Sequence, residues 1–184
     1  LPLSASDYGL IPISNVDKTT ISFFNFTCGK PNLDNFIKTD ARDLHESRIC
    51  HTYCIFHNDF KGLVGYITLS SDSIKLNSSE VMELGVNSEV TISNIPAVLI
   101  GKFAINSELQ GNGCGTAIMS LAVDMILAAN PASARLAVVD AINESRVIKF
   151  YEQCGFKRSI HSEKQAKSQG RQSTVKMFKD VLLE

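Results

Sequence analysis

The chain has 184 residues, 44% of them apolar, with 18 Lys and Arg against 19 Asp and Glu and a formal net charge of -1. That length suits a single domain, residues 1–184, with enough interior to fold without disulfides or a structural metal. No apolar run approaches the roughly 18 residues of a membrane span, the opening LPLSASDYGL lacks the basic and apolar regions of an export signal, and an odd count of five cysteines argues against a disulfide framework. The setting these exclusions leave is reduced and cytoplasmic.

In chain order, Ile11–Ser14 reads as a first short strand, and Pro31 or Asn32 opens a helix with Leu33, Phe36, Ile37, Ala41 and Leu44 on one face. His51–His57 and Gly62–Ser70 read as antiparallel strands joined by Asn58, Asp59, Phe60 and Lys61. His45, Cys50, His51, Cys54 and His57 look like metal ligands, but strand alternation sends Cys50 and Cys54 to one side and His51 and His57 to the other, so no metal is assigned. The polar stretch Asp72–Ile95 reads as a loop at the edge of a site, carrying specificity.

Ala97–Ile105 is an apolar strand bounded by Pro96 and by Asn106, Ser107 and Glu108, and Ala117, Ile118, Leu121, Ala122 and Met125 recur at helical spacing beyond it. Pro131 marks that helix's end. Ala134–Val139 reads as a strand covered on both faces. Asn143 then stands at an N-cap, Val147, Phe150 and Cys154 form an inward stripe, and Gly155 ends the helix. Phe156–Ile160 and Ser173–Val181 read as a closing strand pair. Charge is uneven: residues 157–184 hold 7 Lys and Arg against 3 acids, while residues 1–156 hold 11 against 16. Lys157, Arg158, Lys164, Lys167 and Arg171 could meet RNA phosphates, and a solvated hairpin loop is the plainer alternative.

Between the central strand and helix lies QGNGCG. Gly111, Gly113 and Gly115 expose backbone, and the helix behind leaves its first amides unpaired, which makes an anion site suited to a phosphate or pyrophosphate. A Walker loop needs Gly-Lys-Ser/Thr, whereas Gly115 precedes Thr116 and Ala117. A dinucleotide fingerprint needs a third glycine three residues after the second, early in a βαβ unit. A tight turn that binds nothing remains the bland alternative. Cys114 has no partner base nearby and is not assigned as a nucleophile.

QGNGCGTAIM resembles the acyl-CoA loop of the GNAT acetyltransferases, Gln/Arg-x-x-Gly-x-Gly/Ala, with Gln110, Gly113 and Gly115 at its fixed positions. VVDAINESRVIKFYEQCGF resembles the family's following strand and helix. FTCGKPNLDNFIKTDA and IPAVLIGKFAINSELQGNG are similar to one branch, the GNAT toxins of bacterial toxin-antitoxin pairs that acetylate aminoacyl-tRNA. The resemblance covers about residues 20–160 by motif matching. It implies an α/β (α+β) GNAT fold, a mixed central sheet of about six to seven strands flanked by helices.

The resemblance also implies acetyl-CoA as co-substrate and no metal. Phe103, Ala104 and Ile105 would offer main chain to the pantetheine and thioester oxygen. Gln110, Gly111, Asn112, Gly113, Cys114, Gly115 and Thr116 would hold the pyrophosphate, in a loop lacking the Arg or Lys common in the family's pattern. Asn143 would meet CoA, and Tyr151 would be the general acid for the departing sulfur, a task suited to a phenol protonated at neutral pH. The implied partners are aminoacyl-tRNA and a ribbon-helix-helix antitoxin; a homodimer is left open, and no membrane is involved. No strong base stands out, which favours an α-amine acceptor over lysine. An acetyltransferase for a small-molecule or protein amine, and a non-enzymatic acyl-CoA-binding module, are the competing readings.

Overall fold

The computed structural model describes residues 3–4, 7–20, 25–86, 92, 94–128, 133–167, 170 and 173–183. Strands β1 (Tyr8–Pro12), β2 (His51–His57), β3 (Phe60–Ile74), β4 (Ile95–Ile105), β5 (Leu136–Ile142), β6 (Lys157–Arg158) and β7 (Thr174–Asp180) form a seven-stranded sheet in the order β1-β2-β3-β4-β5-β7-β6. Pairing is parallel between β4 and β5 and antiparallel for β1/β2, β2/β3, β5/β7 and β6/β7, so the sheet is mixed as expected. Six helices flank it among the described residues: α1 (Pro31–Thr39), α2 (Ala41–Glu46), α3 (Ser78–Glu83), α4 (Cys114–Ala128), α5 (Ser145–Gln153) and α6 (Ile160–Lys167). None of them is long and apolar enough to cross a membrane. The chain divides into two compact units, Leu1–Ser70 with Ile100–Met119, and Ser71–Leu99 with Ser120–Glu184. Pro131 and Arg171 lie outside the described residues.

In the first unit the opening strand lies earlier than the expected Ile11–Ser14: its ladder runs from Tyr8↔His57 to Pro12↔Tyr53. Pro12 then opens a 3-10 turn over Ile13–Asn15 that turns Ile13 into the core. The single helix expected from Pro31 to Leu44 is two. Thr39 bonds back to the Asn35 carbonyl at 3.0 Å, which weakens a last turn, and α2 restarts after Asp40. Phe36, Ile37 and Ala41 from these helices pack with Ile13, Phe26, Cys54, Leu63 and Tyr66. The Tyr66 ring stands 5.8 Å from Phe26 and 5.9 Å from Phe36, and its hydroxyl donates to the Leu33 carbonyl at 2.9 Å.

The histidines of this unit are engaged elsewhere. His45 Nδ1 accepts the Thr52 N–H at 3.1 Å. A bulge between Ile55 and His57 breaks the expected alternation, so Cys54 and His57 are both buried. Asp7, His57 and Asp59 approach one another, but His57 Nδ1 accepts the Asp59 N–H at 3.0 Å and Nε2 donates to the Ser4 carbonyl at 3.0 Å. No ring lone pair remains for an ion.

In the second unit β4 pairs with β5 over Ala97–Leu99 and Leu136–Val138. β5 pairs along its length with β7, from Leu136↔Asp180 to Ile142↔Thr174. The strand starts two residues later and ends three later than the expected Ala134–Val139, and its Leu136, Ala137, Val138 and Val139 are all buried, as a strand covered on both faces requires. Leu136 and Val138 share a core with Ile74, Leu84, Ile95, Ala97 and Phe178.

Two readings are corrected here. The stretch 72–95 is not wholly loop: β3 continues to Ile74, and α3 opens with a capping box in which Asn77 Oδ1 accepts the Glu80 N–H and Glu80 accepts the Asn77 N–H. The pattern Asn-x-x-Glu carried that signal. The expected strand Phe156–Ile160 shrinks to Lys157–Arg158, and Ile160–Lys167 is helix α6, capped by the buried Ser159, whose hydroxyl accepts the Ser162 N–H at 3.2 Å.

Arg135 ties the ends of this unit. Its Nε and Nη2 donate to Asp180 at 2.8 and 2.7 Å, and Nη2 also donates to the Leu84 carbonyl at 2.6 Å. Burial alone would raise the Asp180 carboxyl, but the Arg135 bonds and the Leu182 N–H hold it below the usual carboxylate range. A depressed folded pKa adds stability that is present above the unfolded value of about 3.9 and is lost as pH falls through the folded one. Asp180→Asn is therefore expected to destabilise the protein at pH 7 and to flatten the acid limb. Urea midpoints from pH 3 to 7 that stay parallel to wild type would contradict this.

Candidate active site

The buried Asn106 ends β4 and starts the next turn. Its N–H donates to the Val64 carbonyl at 2.8 Å, its Nδ2 to the Leu63 carbonyl at 3.3 Å, and its Oδ1 accepts the Glu108 N–H at 3.1 Å. A 3-10 turn over Ser107–Leu109 follows. Gln110 then fastens the loop: its Nε2 donates to the carbonyls of Ile105 and Cys28, both at 2.9 Å. The Cys28 side of that clasp is itself held, because Asp34 accepts the Cys28 N–H at 2.7 Å and the Thr27 hydroxyl at 2.8 Å. Ser107 N–H donates to the Thr27 carbonyl at 2.8 Å.

From this anchor the chain passes Gly111 (φ 80°) and Gly113 (φ 81°), both left-handed, and enters α4 at Cys114. Only glycine adopts that conformation without strain. Ala117 N–H closes onto the Gly113 carbonyl at 3.1 Å. Among the described residues, none of the N–H groups from Gly111 to Thr116 makes a well-formed bond to a protein acceptor. The segment thus presents a row of free donors at the positive end of a 15-residue helix, with no charged side chain among them. Asn112 and Thr116 are exposed. Cys114 faces inward, 1% exposed, beside the buried Tyr8 hydroxyl, which burial and then the thiol push up. A buried thiol in that place is a packing group.

Phe103, Ala104 and Ile105 end β4, with Ala104 and Ile105 buried. Immediately before them the Lys102 N–H is bonded to the Thr68 hydroxyl at 2.8 Å. A side chain replaces a strand carbonyl as its acceptor.

In the other unit, Tyr151 owes its position to the way α5 ends. Cys154 is the C-cap and Gly155 follows at φ 86°. Phe156 N–H donates to the Tyr151 carbonyl at 3.0 Å and Gly155 N–H to the Glu152 carbonyl at 3.0 Å, the two bonds of a Schellman motif. The accompanying apolar contact is Phe156 against Tyr151, ring centroids 5.6 Å apart, with Phe150 at 5.2 Å on another edge. Burial, then the Cys154 thiol, pushes the Tyr151 hydroxyl up to about 12. It stays protonated across the physiological range.

Asn143 is not the N-cap. Glu144 holds that place without a side-chain cap bond, and the exposed Asn143 donates its main-chain N–H to the Ser173 carbonyl at 2.9 Å. The buried centre of α5 is Ile148 rather than the expected Val147, Phe150 and Cys154 stripe. Sequence reasoning missed Asp34 and Asn106. Only the i+6 spacing of Asp34 from Cys28 was on offer, and it is no recognised signal.

A central strand that ends in a neutral glycine turn, with amides at a helix start, is an α/β arrangement suited to an anion. Residues 20–156 match the acetyltransferase (GNAT) family, and the chain belongs to that family. It is similar in fold to a Tyr-to-Phe mutant of the AtaT toxin, at 20% identity over 99% of this chain and 93% of that one, TM-score 0.74. It is similar to AtaT complexed with acetyl-methionyl-tRNAfMet, at 22% identity over 96% of each chain, TM-score 0.74. A Tyr-to-Phe mutant of KacT matches at 20% identity over 96% of each, TM-score 0.72.

Proposed function

We propose that the chain, as a single domain of residues 1–184, transfers acetyl from acetyl-CoA to the α-amine of aminoacyl-tRNA, acting in the cytoplasm as a toxin that an antitoxin neutralises. The observation that carries the acetyl-CoA half is the row of unbonded amides from Gly111 to Thr116 in a member of the GNAT family. The acceptor half is supported by similarity to a toxin solved with acetyl-methionyl-tRNAfMet. The antitoxin is supported by similar structures of AtaT with the C-terminus of AtaR and acetyl-CoA, and of a KacTA–DNA complex.

In this reading the amides of Gly111–Thr116 receive the pyrophosphate, Phe103, Ala104 and Ile105 offer main chain to the pantetheine and thioester oxygen, and Asn143 meets CoA. Transfer requires the amine lone pair to attack the thioester carbon, the C–S bond to break, one proton to leave nitrogen and one to reach sulfur. Tyr151 is the group assigned to the sulfur. A phenol at about 12 lies above a thiol near 8.5, so full transfer is uphill and the hydroxyl acts as a hydrogen-bond donor while negative charge grows. Tyr151 stays protonated through the working range and no side-chain base is assigned, so kcat/KM rises with pH to a plateau set by the acceptor amine, near 8 for an α-amino group. An alkaline loss below pH 10 would contradict the role given to Tyr151.

The deciding experiment adds the purified chain and labelled acetyl-CoA to charged tRNA and to free amines. Labelled aminoacyl-tRNA and arrest of a purified translation mix support the proposal. Labelling of free amines alone transfers the function to a small-molecule acetyltransferase. The clasp makes a separate prediction: Gln110→Ala raises the KM for acetyl-CoA about tenfold with kcat little changed. Gln110→Glu is worse, because a carboxylate then faces the Ile105 and Cys28 carbonyls. Equal values for the two variants would reject the clasp as a positioning device.

A further inference from the structure

The cations that the sequence offers to RNA near its end are partly neutralised where they stand. Lys157 pairs with Glu83, and Arg158 lies 3.6 Å from Glu152 and 3.7 Å from Glu163. Three other cations, Lys18, Lys38 and Arg42, stand round a recess of about 200 Å³ in the first unit, over Ile13 and Ile37.

Arg42 is fixed there, since its Nη2 donates to the Val16 carbonyl at 2.6 Å. Lys18 projects from a turn pinned by Asp17, whose Oδ1 accepts the Thr19 N–H at 2.8 Å and hydroxyl at 2.9 Å. Lys38 stands in the last turn of α1. Lys18 and Lys38 are exposed and make no ion pair among the described residues. Asp43 lies on the rim, Asp17 stands beside Arg42, and Asp34, one turn before Lys38 on α1, acts on Lys38; the oxygens of Asp17 and Asp34 already accept from Thr19 and from Cys28 and Thr27. The lining itself holds three cations against one carboxylate, Asp43, so a phosphodiester set between Lys18, Lys38 and Arg42 meets an excess of positive charge. Because the whole chain is near neutral, diffuse adsorption of RNA does not supply this contact.

We propose that this recess is an RNA contact in which Lys18, Lys38 and Arg42 hold one backbone phosphate, with Ile13 and Ile37 beneath the sugar. The proposal rests on the aminoacyl-tRNA reading above and adds to it where the RNA is gripped. Phosphate contacts fix register and make binding salt-dependent.

The test measures binding of fluorescein-labelled, deacylated bulk tRNA by anisotropy at several KCl concentrations, for wild type, Lys18→Ala/Lys38→Ala and Lys18→Arg/Lys38→Arg. The Ala pair should weaken binding about three- to tenfold and make the salt slope shallower by about one. The Arg pair should restore both, and the KM for acetyl-CoA should not move. Lys61→Ala, exposed at the start of β3, is the control and should change nothing.

An unchanged slope in the Ala pair overturns the proposal, as does loss that inorganic phosphate or an acidic peptide relieves without any effect on tRNA. Acetylation of charged tRNA by wild type is scored separately. If wild type acetylates charged tRNA while the slope ignores both lysines, the recess falls and the function stands. If wild type binds through the lysines but does not acetylate charged tRNA, the function falls and the recess stands. Absence of both removes both.

Discussion

Tyr151→Phe is expected to lower kcat for acetyl transfer about 10²- to 10³-fold while leaving acetyl-CoA binding and the melting temperature close to wild type. The expectation of an intact fold comes from the surroundings of the ring. Its contacts with Phe150 and Phe156 are edge-to-face and apolar, and the Schellman bonds that hold α5 use the Tyr151 carbonyl, not its hydroxyl. Phe keeps all of this and removes a donor whose proton is held by burial. Steady-state assays with charged tRNA, together with calorimetry of acetyl-CoA binding, separate the two quantities. A variant that transfers acetyl at the wild-type rate would leave the sulfur without an assigned partner and remove Tyr151 from the mechanism. A variant that loses CoA affinity in step with kcat would instead give Tyr151 a binding role.

The largest effect on stability is expected at Glu80. Its side chain is 2% exposed and serves two helix starts at once. Oε2 accepts the Asn77 N–H at 2.9 Å and the His161 N–H at 3.3 Å, and Oε1 accepts the Ile160 N–H at 2.8 Å. Carboxylates suit the positive ends of helices, and buried amides deprived of an acceptor carry their full desolvation cost. Glu80→Ala should therefore cost about 3 kcal/mol or more. Glu80→Gln, which keeps one acceptor oxygen, should cost clearly less. Urea unfolding at constant m gives both numbers. A loss under about 0.5 kcal/mol for Ala, the range of ordinary surface changes, would remove Glu80 from this role.

The parts of the fold legible in the sequence were those written in local repetition. The apolar run Ala134–Val139 announced a strand covered on both faces, though the strand is shifted to Leu136–Ile142, and the alternating glycines after Ile105 announced a turn exposing backbone. Family membership was legible through Gln110, Gly113 and Gly115, because a loop that binds by main-chain amides constrains where side chains can be. What was not legible depends on bonds between distant residues or on single-residue breaks. Thr39 back-bonding divides α1 from α2 inside one unbroken apolar stripe, and hydropathy has no sign of it. The bulge after Ile55 brings Cys54 and His57 both into the interior, where strict alternation had parted them. Glu80 read as a loop acid, since its contacts at Ile160 and His161 lie in another helix. Asn143 was placed one residue too far into α5, a slip that capping patterns invite when Asn and Glu are adjacent.

The end of α5 bears on how this protein would evolve under selection. A side chain at Gly155 would carry both a left-handed backbone and a Cβ 3.3 Å from Lys179 Nζ, while Lys179 itself donates to the Cys154 carbonyl at 3.2 Å. If the chain poisons its host, survivors of a mutagenised culture should include well-folded proteins altered at Gly155, Phe156 or Lys179, none of which handles a substrate. Escape would then come more often from turning the tyrosine aside than from replacing it.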